Sequence, residues 1–592
     1  MPAVVFLAGV FLPVLVLAVT ALILGRTLHR EAGWAVQTAL GLALLAHGAL
    51  LLGFAGLLTP GPVLLAVAAI HFLGLPAWRE GFRARPSVAG VAAGAGIAAP
   101  FLLLALYPPT GFDETLYHLP FARAFVASGG VPFLPDLRFP VFPQANEILF
   151  ALVMLFGSDV ATHGVQLLMT MLTAAILLDW GKEAFPESGG AAGWIAAAIF
   201  LGNPIVVSLA GSGYVEPGLT LFATAALDSA RRFRRTGERG WLVLAAVFAG
   251  TTADVKYLGL FFLGMTALAV VLARRPVATR VRDLLLFGAV AAAVVAPWYG
   301  RMLVHTGNPL FPFFPQIFGS TPWNPLRFHS FAAGGVVRRL IALARLPWDV
   351  VFARERYGFQ PPYSPLSLVL LPVAALAAFR DARLRHLLGV AVLYALACLS
   401  LPPDSRYLVP ALPLVSLAVA GALVSWLGRL PVRRDVLVWG LFAAFLLPGW
   451  AYAGYRIARQ GPIPLTPEAR EEYLSRRLPL YRAVAFLNRT HGNGYTAWGL
   501  DFENMVYHAR GRLLGDWIGT SSFPRVLGGL RGPADLHRRL RNLGAGYLLI
   551  PAENKEGGID LPFPEGAAFR RWFRPVYSDP HARVYALARE ER

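Results

Sequence analysis

The chain has 592 residues, of which 56% are hydrophobic and only 15% charged, and its mean hydropathy is +0.55. Runs of about 20 apolar residues recur along most of its length, which excludes an ordinary soluble domain and indicates a polytopic membrane protein. The single cysteine, Cys398, excludes an intrachain disulfide and a cysteine metal cluster.

The net charge of +19 comes largely from arginines in short loops between the apolar runs. This is the positive-inside pattern of cytoplasmic loops, so the charge indicates topology and contact with anionic lipid rather than nucleic-acid binding. Arginines of this kind include Arg26, Arg30, Arg79, Arg83, Arg85, Arg231, Arg232, Arg234, Arg235, Arg274, Arg275, Arg380, Arg383, Arg385, Arg433 and Arg434.

With these loops taken as cytoplasmic, the sequence predicts about fourteen membrane spans and places both termini on the opposite side. The apolar stretch around 241–273 is too long for one helix across a core of roughly 30 Å, so a hairpin turning near Asp254–Tyr257 is predicted. The predicted spans are 3–25, 34–58, 61–77, 87–108, 158–180, 191–211, 215–231, 241–257, 258–273, 284–305, 365–379, 386–401, 407–427 and 436–455.

This order divides the chain into additional N-terminal transmembrane helices (1–86), a transmembrane domain (87–455) and a C-terminal domain (456–592). The transmembrane domain carries two external loops, 109–157 and 306–364, and the second is rich in Pro, Gly and aromatic residues, which predicts irregular backbone. In the polar C-terminal part, strand-like "GYTAWGL", "GAGYLLIP" and "ARVYALA" alternate with helical "ADLHRRLRNLG". The predicted fold class is therefore an all-α membrane protein with a small extracytoplasmic α/β domain.

Ionisable residues stand near the span ends on the side opposite the arginine-rich loops. They are Asp113, Glu114, Glu216, Lys256, Arg301, His305, Asp404 and Arg406. Such residues are unfavourable at membrane depth and usually functional, so we expect a polar site near the outer interface. Singly, ordinary explanations remain open: an acid can cap a helix, a basic side chain can snorkel, and a histidine can simply lie at the interface.

The stretch "GFDETLYHLP", 111–120, opens the first external loop and holds Asp113, Glu114, Tyr117 and His118 within six positions. Two adjacent carboxylates beside hydrocarbon repel each other and are desolvated. Both effects raise a carboxyl pKa, which suits one of the two acids to accept a proton.

With this acidic pair, its Tyr-His partner and several later segments, the sequence resembles the GT-C class of integral-membrane glycosyltransferases. The likeness is greatest to the protein mannosyltransferase and aminoarabinose transferase branch, and it runs in order over about 87–455. The later segments are "FPQANEILFALVMLFG", "GYVEPGLTLFATAAL", "WLVLAAVFAGTTADVKY", "PWYGRMLVHTGNPLFPF" and "SRYLVPALPLVSLA".

The resemblance implies inverting transfer of a sugar from a polyprenyl-phosphate carrier to an acceptor hydroxyl at the periplasmic face of a bacterial inner membrane. Asp113 matches the general base of the family, and Glu114 its supporting neighbour. Glu216 stands where relatives often have Asp, as a further catalytic candidate. Basic residues stabilise the departing phosphate in this chemistry. The substrate-binding candidates are Tyr117, His118, Lys256, Arg301, Asp404, Arg406 and Tyr407.

The sequence has no Asp-x-Asp and no "WWDYG" motif, so no metal or other cofactor is predicted. The acceptor is a lipid, a glycan or a protein. Two alternatives stay open: a flippase or transporter of lipid carriers, which would favour midplane charges in paired repeats, and a non-catalytic envelope-assembly protein, which would not need the acidic pair.

Overall fold

A computed structural model of the chain describes residues 2–81, 88–321, 323, 335–427, 434–515, 526–552 and 561–588. Over these ranges the chain is mostly helical, with one small sheet near its C-terminus.

The N-terminal helices pack closely because glycines line the contact between the first two. A Cβ atom at Gly25 would lie 1.8 Å from the carbonyl oxygen of Gln37, and one at Gly41 would lie 1.8 Å from that of Ala21. Small residues allow helix backbones to approach each other in this way within a membrane. The helices are α1 (Pro2–Leu28), α2 (Trp34–Phe54), α3 (Pro60–Leu73), α4 (Leu75–Gly81) and α5 (Val88–Ala105).

The first external loop begins with one turn of π-helix, Glu114–His118, directly after Asp113. It continues into α6 (Leu119–Ser128) and, after an irregular stretch, into α7 (Ala145–Met154). Turns of π-helix are rare in proteins as a whole, but those that occur are often found at functional sites. Here the turn places the side chains of two consecutive acids in different surroundings, as shown below.

The central helices include the predicted hairpin: α12 ends at Val255, α13 begins at Gly259, and the chain reverses around Lys256. The hairpin prediction is therefore confirmed. The helices of this part are α8 (Ala161–Ala184), α9 (Ala191–Leu201), α10 (Pro204–Ala210), α11 (Glu216–Thr236), α12 (Arg239–Val255), α13 (Gly259–Val271) and α14 (Val277–Thr306), and a short 3₁₀ turn, Pro186–Ser188, lies between α8 and α9.

The predicted span 191–211 is two helices, α9 and α10, that bend by 72° at the break. Pro204 explains the break, because proline has no N–H to donate and disfavours helical geometry in the residue before it. Gly202 lies at the same point against a later helix, where a Cβ atom would be 1.7 Å from the carbonyl oxygen of Phe445.

The second external loop differs from the irregular backbone that its composition predicts. It contains α16 (Val336–Phe352), whose Leu340, Ile341 and Trp348 are exposed while Leu346 and Val350 are buried. A helix that combines arginines with exposed apolar residues in this way is typical of a membrane surface. The elements that follow α14 are α15 (Pro315–Phe318), α16, α17 (Leu366–Ala378), α18 (Ala382–Cys398), α19 (Leu412–Leu427), α20 (Arg434–Gln460) and the 3₁₀ turns Arg354–Tyr357 and Ser405–Ala411.

The C-terminal part forms a five-stranded sheet of order β2-β1-β3-β5-β4. Strand β1 pairs in parallel with β2 and with β3, whereas β5 pairs antiparallel with β3 and with β4. Strands β1, β3 and β5 confirm the three predicted segments, and β2 and β4 were not predicted. The elements are α21 (Pro467–Arg477), α22 (Tyr481–His491), β1 (Thr496–Gly499), the 3₁₀ turn Glu503–Met505, β2 (Arg512–Gly515), α23 (Pro533–Asn542), β3 (Tyr547–Pro551), α24 (Ala567–Arg570), β4 (Phe573–Ser578) and β5 (Ala582–Leu587).

The backbone of the C-terminal domain forms hydrogen bonds with both the backbone and a side chain of the first external loop. The N–H of Tyr507 donates to the carbonyl oxygen of Thr115 at 2.9 Å. The guanidinium of Arg123 donates to the carbonyl oxygens of Tyr507 at 2.6 Å and Ala509 at 3.0 Å. The π-helical turn is therefore held by a segment from the far end of the chain.

Among the described residues, six helices are long and apolar enough to cross a membrane, or seven if α9 and α10 form one span. The predicted count of about fourteen is not confirmed. A span needs about 20 residues, and several helices at predicted positions are shorter. The shorter apolar helices are Pro60–Leu73, Gly94–Ala105, Ala145–Met154, Gly259–Val271 and Leu368–Ala378.

Candidate active site

Five of the predicted site residues meet in one group, here called the charge cluster: Asp113, Glu216, Lys256, Asp404 and Arg406. The Arg406 guanidinium is central, with Nη2 2.5 Å from Asp113 Oδ2 and Nε 2.8 Å from Asp404 Oδ2. Its Nε also lies 3.8 Å from Glu216 Oε1, and Lys256 Nζ is 2.7 Å from the same oxygen. Three carboxylates and two cations therefore share one site.

Each member of the charge cluster stands at the end of an element. Asp113 precedes the π-helical turn, Glu216 is the first residue of α11, and Lys256 lies at the turn between α12 and α13. Asp404 caps the 3₁₀ turn that follows it, since its Oδ1 accepts a hydrogen bond from the Arg406 N–H at 3.1 Å. Rigid helix ends thus position the charges in advance of any ligand.

Tyrosines surround the cations. The hydroxyl of Tyr117 donates to Asp113 Oδ2 at 2.8 Å. The ring of Tyr407 lies 4.8 Å from Lys256 Nζ and 5.3 Å from the Arg406 guanidinium carbon, and the ring of Tyr214 lies 4.8 Å from that carbon. Cation–π contacts of this length hold a positive charge without neutralising it.

The charge cluster is partly open: the side chains of Lys256 and Asp113 are 21% and 15% exposed, whereas that of Glu216 is fully buried. Burial favours the neutral form of Asp113, but the charges of Arg406 and Lys256 outweigh it and hold its pKa at about 2. Burial instead raises the pKa of Asp404 to about 6, although Arg406 acts in the opposite direction. The pKa of Asp113 is therefore lower, and that of Asp404 higher, than the usual value for an aspartate.

Glu114 lies in a separate, buried environment, here called the glutamate pocket: Glu114, Gly111, Gly213 and His163. The N–H groups of Gly111 and Gly213 donate to its carboxylate at 2.8 and 2.7 Å, and His163 Nε2 lies 2.5 Å from Oε1. A Cβ atom at Gly213 would lie 2.6 Å from Glu114 Oε1, so only glycine permits this approach.

The prediction that mutual repulsion and burial raise the pKa of the acidic pair is wrong. Burial does favour the neutral acid, but His163 and the two N–H groups lower the pKa of Glu114, and Asp113 has its own cations. Because each carboxylate turns towards its own positive partners, hydrogen bonding and opposite charges outweigh desolvation.

His118 is buried beside the charge cluster but bonds elsewhere. Its Nδ1 lies 2.5 Å from Glu147 Oε1, and the centre of its ring lies 4.2 Å from that of Tyr117, with the two rings tilted by 51°. Its Nε2 has no hydrogen-bond partner among the described residues. The structure thus places His118 behind Tyr117, with no bond to a member of the charge cluster.

Arg301 lies apart from the other cations. Its guanidinium donates to Gln144 Oε1 at 2.9 Å and to the carbonyl oxygen of Pro132 at 2.6 Å. These contacts join α14 to the first external loop. No described ion pair links Arg301 to the charge cluster.

Sequence reasoning missed several residues around the site. Tyr214 stands two positions before Glu216 in "GYVEP", Gln360 Nε2 approaches Asp404 Oδ2 at 3.4 Å, and Tyr363 donates to the carbonyl oxygen of Ser405 at 2.8 Å. Glu147 and His163 could have been found from the sequence, because each is an ionisable residue in an otherwise apolar helix and such a residue needs a partner. Gln360 and Tyr363 had no comparable signal.

The arrangement suits a reaction in which negative charge develops next to a carboxylate. Two cations on fixed supports can bind an anionic group, and Asp113 can accept a proton beside them. Over the described ranges, no group of three or more His, Cys, Asp and Glu residues is placed to hold a metal ion. The prediction that no metal is used stays a prediction.

Comparison with known proteins adds information on both halves of the chain. A family model described as SF2091/S2213 matches residues 469–586, which lie in the C-terminal part. The uncharacterized protein SF2093/S2215 from Shigella flexneri is 43% identical over 56 residues. That match covers 10% of this chain and 28% of the Shigella protein.

Among solved structures, ArnT from Cupriavidus metallidurans bound to undecaprenyl phosphate matches with a TM-score of 0.54 at 15% identity. The match covers 85% of this chain and 99% of ArnT, and ArnT in the apo state gives 0.53 at 16% identity, covering 84% and 96%. The Archaeoglobus fulgidus oligosaccharyltransferase aligns more weakly, with a TM-score of 0.43 at 12% identity, covering 78% and 69%. At such identities the likeness is one of fold: this chain has a GT-C fold.

Proposed function

We propose that this chain, with its GT-C fold, is a membrane glycosyltransferase that moves a sugar from a polyprenyl-phosphate carrier to an acceptor hydroxyl. The observation that carries the proposal is the contact of Asp113 with Arg406, beside Lys256, at the helix ends. ArnT, which has the same fold, was solved with undecaprenyl phosphate, and the two cations here offer a comparable anion a binding site.

In the proposed reaction Asp113 takes the proton of the acceptor hydroxyl as the acceptor oxygen bonds to the anomeric carbon. The bond from that carbon to the phosphate oxygen breaks, and the electron pair leaves on the carrier phosphate. Lys256 and Arg406 stabilise the charge that grows there. Attack opposite the leaving group inverts the anomeric centre.

The ion pair between Asp113 and Arg406 gives donor binding a second effect. When the carrier phosphate takes Arg406 as its partner, Asp113 loses the contact that holds its pKa at about 2. The freed carboxylate is a stronger base. Binding of the donor would therefore prepare the base for the acceptor, and Asp113 would be a poor base until the donor is present.

Other parts of the proposal concern placement. The charge cluster faces the periplasm in an inner membrane, the arginine-rich loops face the cytoplasm, and residues 87–455 form the catalytic domain with 456–592 outside the membrane. Glu114 supports the fold of the loop, and Glu216 orients Lys256 through their contact of 2.7 Å. Arg301, which contacts the first external loop, remains a third candidate for binding the carrier phosphate.

Lipid analysis of a deletion strain tests the proposal. We expect a polyprenyl-phosphate sugar to accumulate, and wild-type protein, but not Asp113→Asn, to restore the wild-type level. Unchanged carrier lipids in the deletion strain would contradict the proposed donor. Full restoration by Asp113→Asn would contradict the proposed base and favour the non-catalytic alternative.

Reporter fusions test the placement. Fusions after Gly307 and at the C-terminus should report the periplasm, and one within 231–240 should report the cytoplasm. The same side for all three positions would contradict the orientation and the position of the site.

A further inference from the structure

A crevice opens between helices α8, α11, α13, α18 and α19, far from the charge cluster. Helix α11 joins the two regions: it begins at Glu216 and reaches the crevice with Leu227, Arg231 and Arg234. At 1.5 Å per residue, Arg234 lies about 27 Å along the helix from Glu216. The crevice has a volume of about 500 Å³, within the range of small-molecule sites.

The walls of the crevice are apolar, and its outer edge is exposed. Trp180 and Leu414 form a buried inner surface, at 5% and 2% exposure, whereas Leu268 and Leu272 at the outer edge are 43% and 57% exposed. A molecule that fills this space must therefore have an apolar part.

The rim of the crevice is basic. The arginines on it are Arg231, Arg234, Arg235, Arg274 and Arg383, with His386 beside them, and the described lining residues include no carboxylate. Some of these arginines already have ion-pair partners: Arg231 and Arg235 pair with Glu183 at 3.0 and 3.2 Å. Arg383 pairs with Asp381 at 2.8 Å and with Glu187 at 2.9 Å.

Arg234 and Arg274 are different. Both are exposed, and neither side chain forms a hydrogen bond or an ion pair with any residue that the structure describes. Two guanidinium groups thus stand above an apolar space without an anion. Guanidinium groups bind phosphate through paired N–H donors.

From this combination we infer that the crevice is a binding site for one anionic phospholipid, with its phosphate at Arg234 and Arg274 and an acyl chain along Leu268 and Leu272. The apolar walls favour a lipid over a free phosphate. The described lining includes no carboxylate, and the acids next to it, Glu183, Asp381 and Glu187, already pair with arginines. This favours an anionic headgroup over one with an ammonium or choline group. The site is separate from the proposed transfer reaction and does not depend on it.

Lipid titration of the delipidated full-length protein tests the site, with bound lipid counted by native mass spectrometry. Phosphatidylglycerol and phosphatidylcholine with identical acyl chains are the two probes, and glycerol phosphate is the probe without chains. We expect tight retention of one phosphatidylglycerol, weak retention of phosphatidylcholine, and no competition by glycerol phosphate. Equal retention of the two lipids, or competition by glycerol phosphate, would overturn the inference.

The variant Arg234→Gln/Arg274→Gln should bind phosphatidylglycerol about thirtyfold more weakly, since each basic side chain near an anionic lipid contributes about a factor of five. The matched control is Arg26→Gln/Arg239→Gln, which removes the same charge from the last turn of α1 and the start of α12, outside the crevice. An equal loss of phosphatidylglycerol affinity in the two variants would mean that the lipid binds through general surface charge, and it would overturn the inference. If the crevice variant misfolds, the comparison of the two lipids on the wild-type protein still decides.

Discussion

Asp113 and Glu114 are neighbours in sequence, yet the charge cluster and the glutamate pocket differ in the kind of groups that bind the carboxylate and in its exposure. Asp113 is bound by side chains that can exchange partners, and it is partly exposed. Glu114 is bound by two backbone N–H groups, which are fixed in the fold, and by a buried histidine. A carboxylate among movable cations is suited to chemistry, whereas one held by the backbone is suited to maintaining shape.

Replacing Asp113 should have the largest effect on activity. Asp113→Asn keeps the size of the side chain and removes the proton acceptor, so we expect turnover to fall by about 10²- to 10⁴-fold. The thermal midpoint should fall, because Arg406 and Lys256 stabilise the ionised Asp113 in the folded protein. The fall should be smaller than for Glu114→Gln, since Asp113 is partly open and Arg406 keeps Asp404 as a partner. Turnover with the lipid-linked donor and thermal unfolding should be measured on the same preparation. Wild-type turnover would remove Asp113 as the base, with Glu216 the next candidate.

The next largest effect should come from the cations. Arg406→Ala and Lys256→Met should each lower turnover at saturating donor by at least about tenfold, roughly 1.4 kcal/mol, because charge on the phosphate grows as the sugar leaves. Arg406→Lys should be intermediate, since it keeps the charge and loses the planar fork.

A merely anchoring arginine would tolerate lysine almost fully, so the ratio of Arg406→Lys to Arg406→Ala separates the two roles. The comparison for Lys256 uses Arg as the conservative change. If turnover and donor affinity are unaffected in both charge-removing variants, the phosphate binds elsewhere and Arg301 becomes the remaining candidate.

The glutamate pocket should give the opposite result to Asp113. Glu114→Gln should reduce turnover less than Asp113→Asn does, but it should lower stability by about 1.5–3 kcal/mol, because hydrogen bonds to a buried charge are lost. Gly213→Ala should have a similar effect on the thermal midpoint, since its Cβ atom would lie 2.6 Å from Glu114 Oε1. A Glu114→Gln variant that is fully stable and inactive would reverse the comparison.

The smallest effect concerns pH and Asp404. Burial raises its pKa to about 6, so between about pH 4 and pH 6 the folded protein holds a proton that the unfolded chain has lost. This group therefore contributes less stability as the pH rises through that window. Asp404→Asn should remove this contribution, so the difference in thermal midpoint between wild type and variant should change with pH from 4 to 6. A constant difference would contradict the raised pKa.

The members of the charge cluster could be found from the sequence because charged residues in apolar surroundings are conspicuous. Glu216, Lys256 and Arg406 each interrupt a long apolar stretch. The different surroundings of Asp113 and Glu114 could not be found, because they depend on a π-helical turn and on the close approach of Gly213. Neither feature has a local signature in the sequence.

For the membrane helices, too, one part could be predicted from the sequence and another could not. The positions of most predicted spans coincide with helices, since apolar runs are a strong signal, but their lengths and the bend between α9 and α10 depend on packing. Arg301 illustrates the limit best: its position at a span end matched that of the other cations, and only the fold shows that it contacts Gln144 and Pro132 instead.

The hydrogen bonds between the C-terminal domain and the first external loop have a consequence for biosynthesis. Arg123 and Tyr507 are separated by 384 residues. At about 5–20 residues per second, a ribosome needs roughly 20 to 80 s to pass from one to the other. Throughout that time Thr115 and Arg123 lack these partners while the membrane helices are already being inserted. The turn next to Asp113 is therefore completed only near the end of translation, and a chain released early would carry the membrane helices without the contacts that hold this turn.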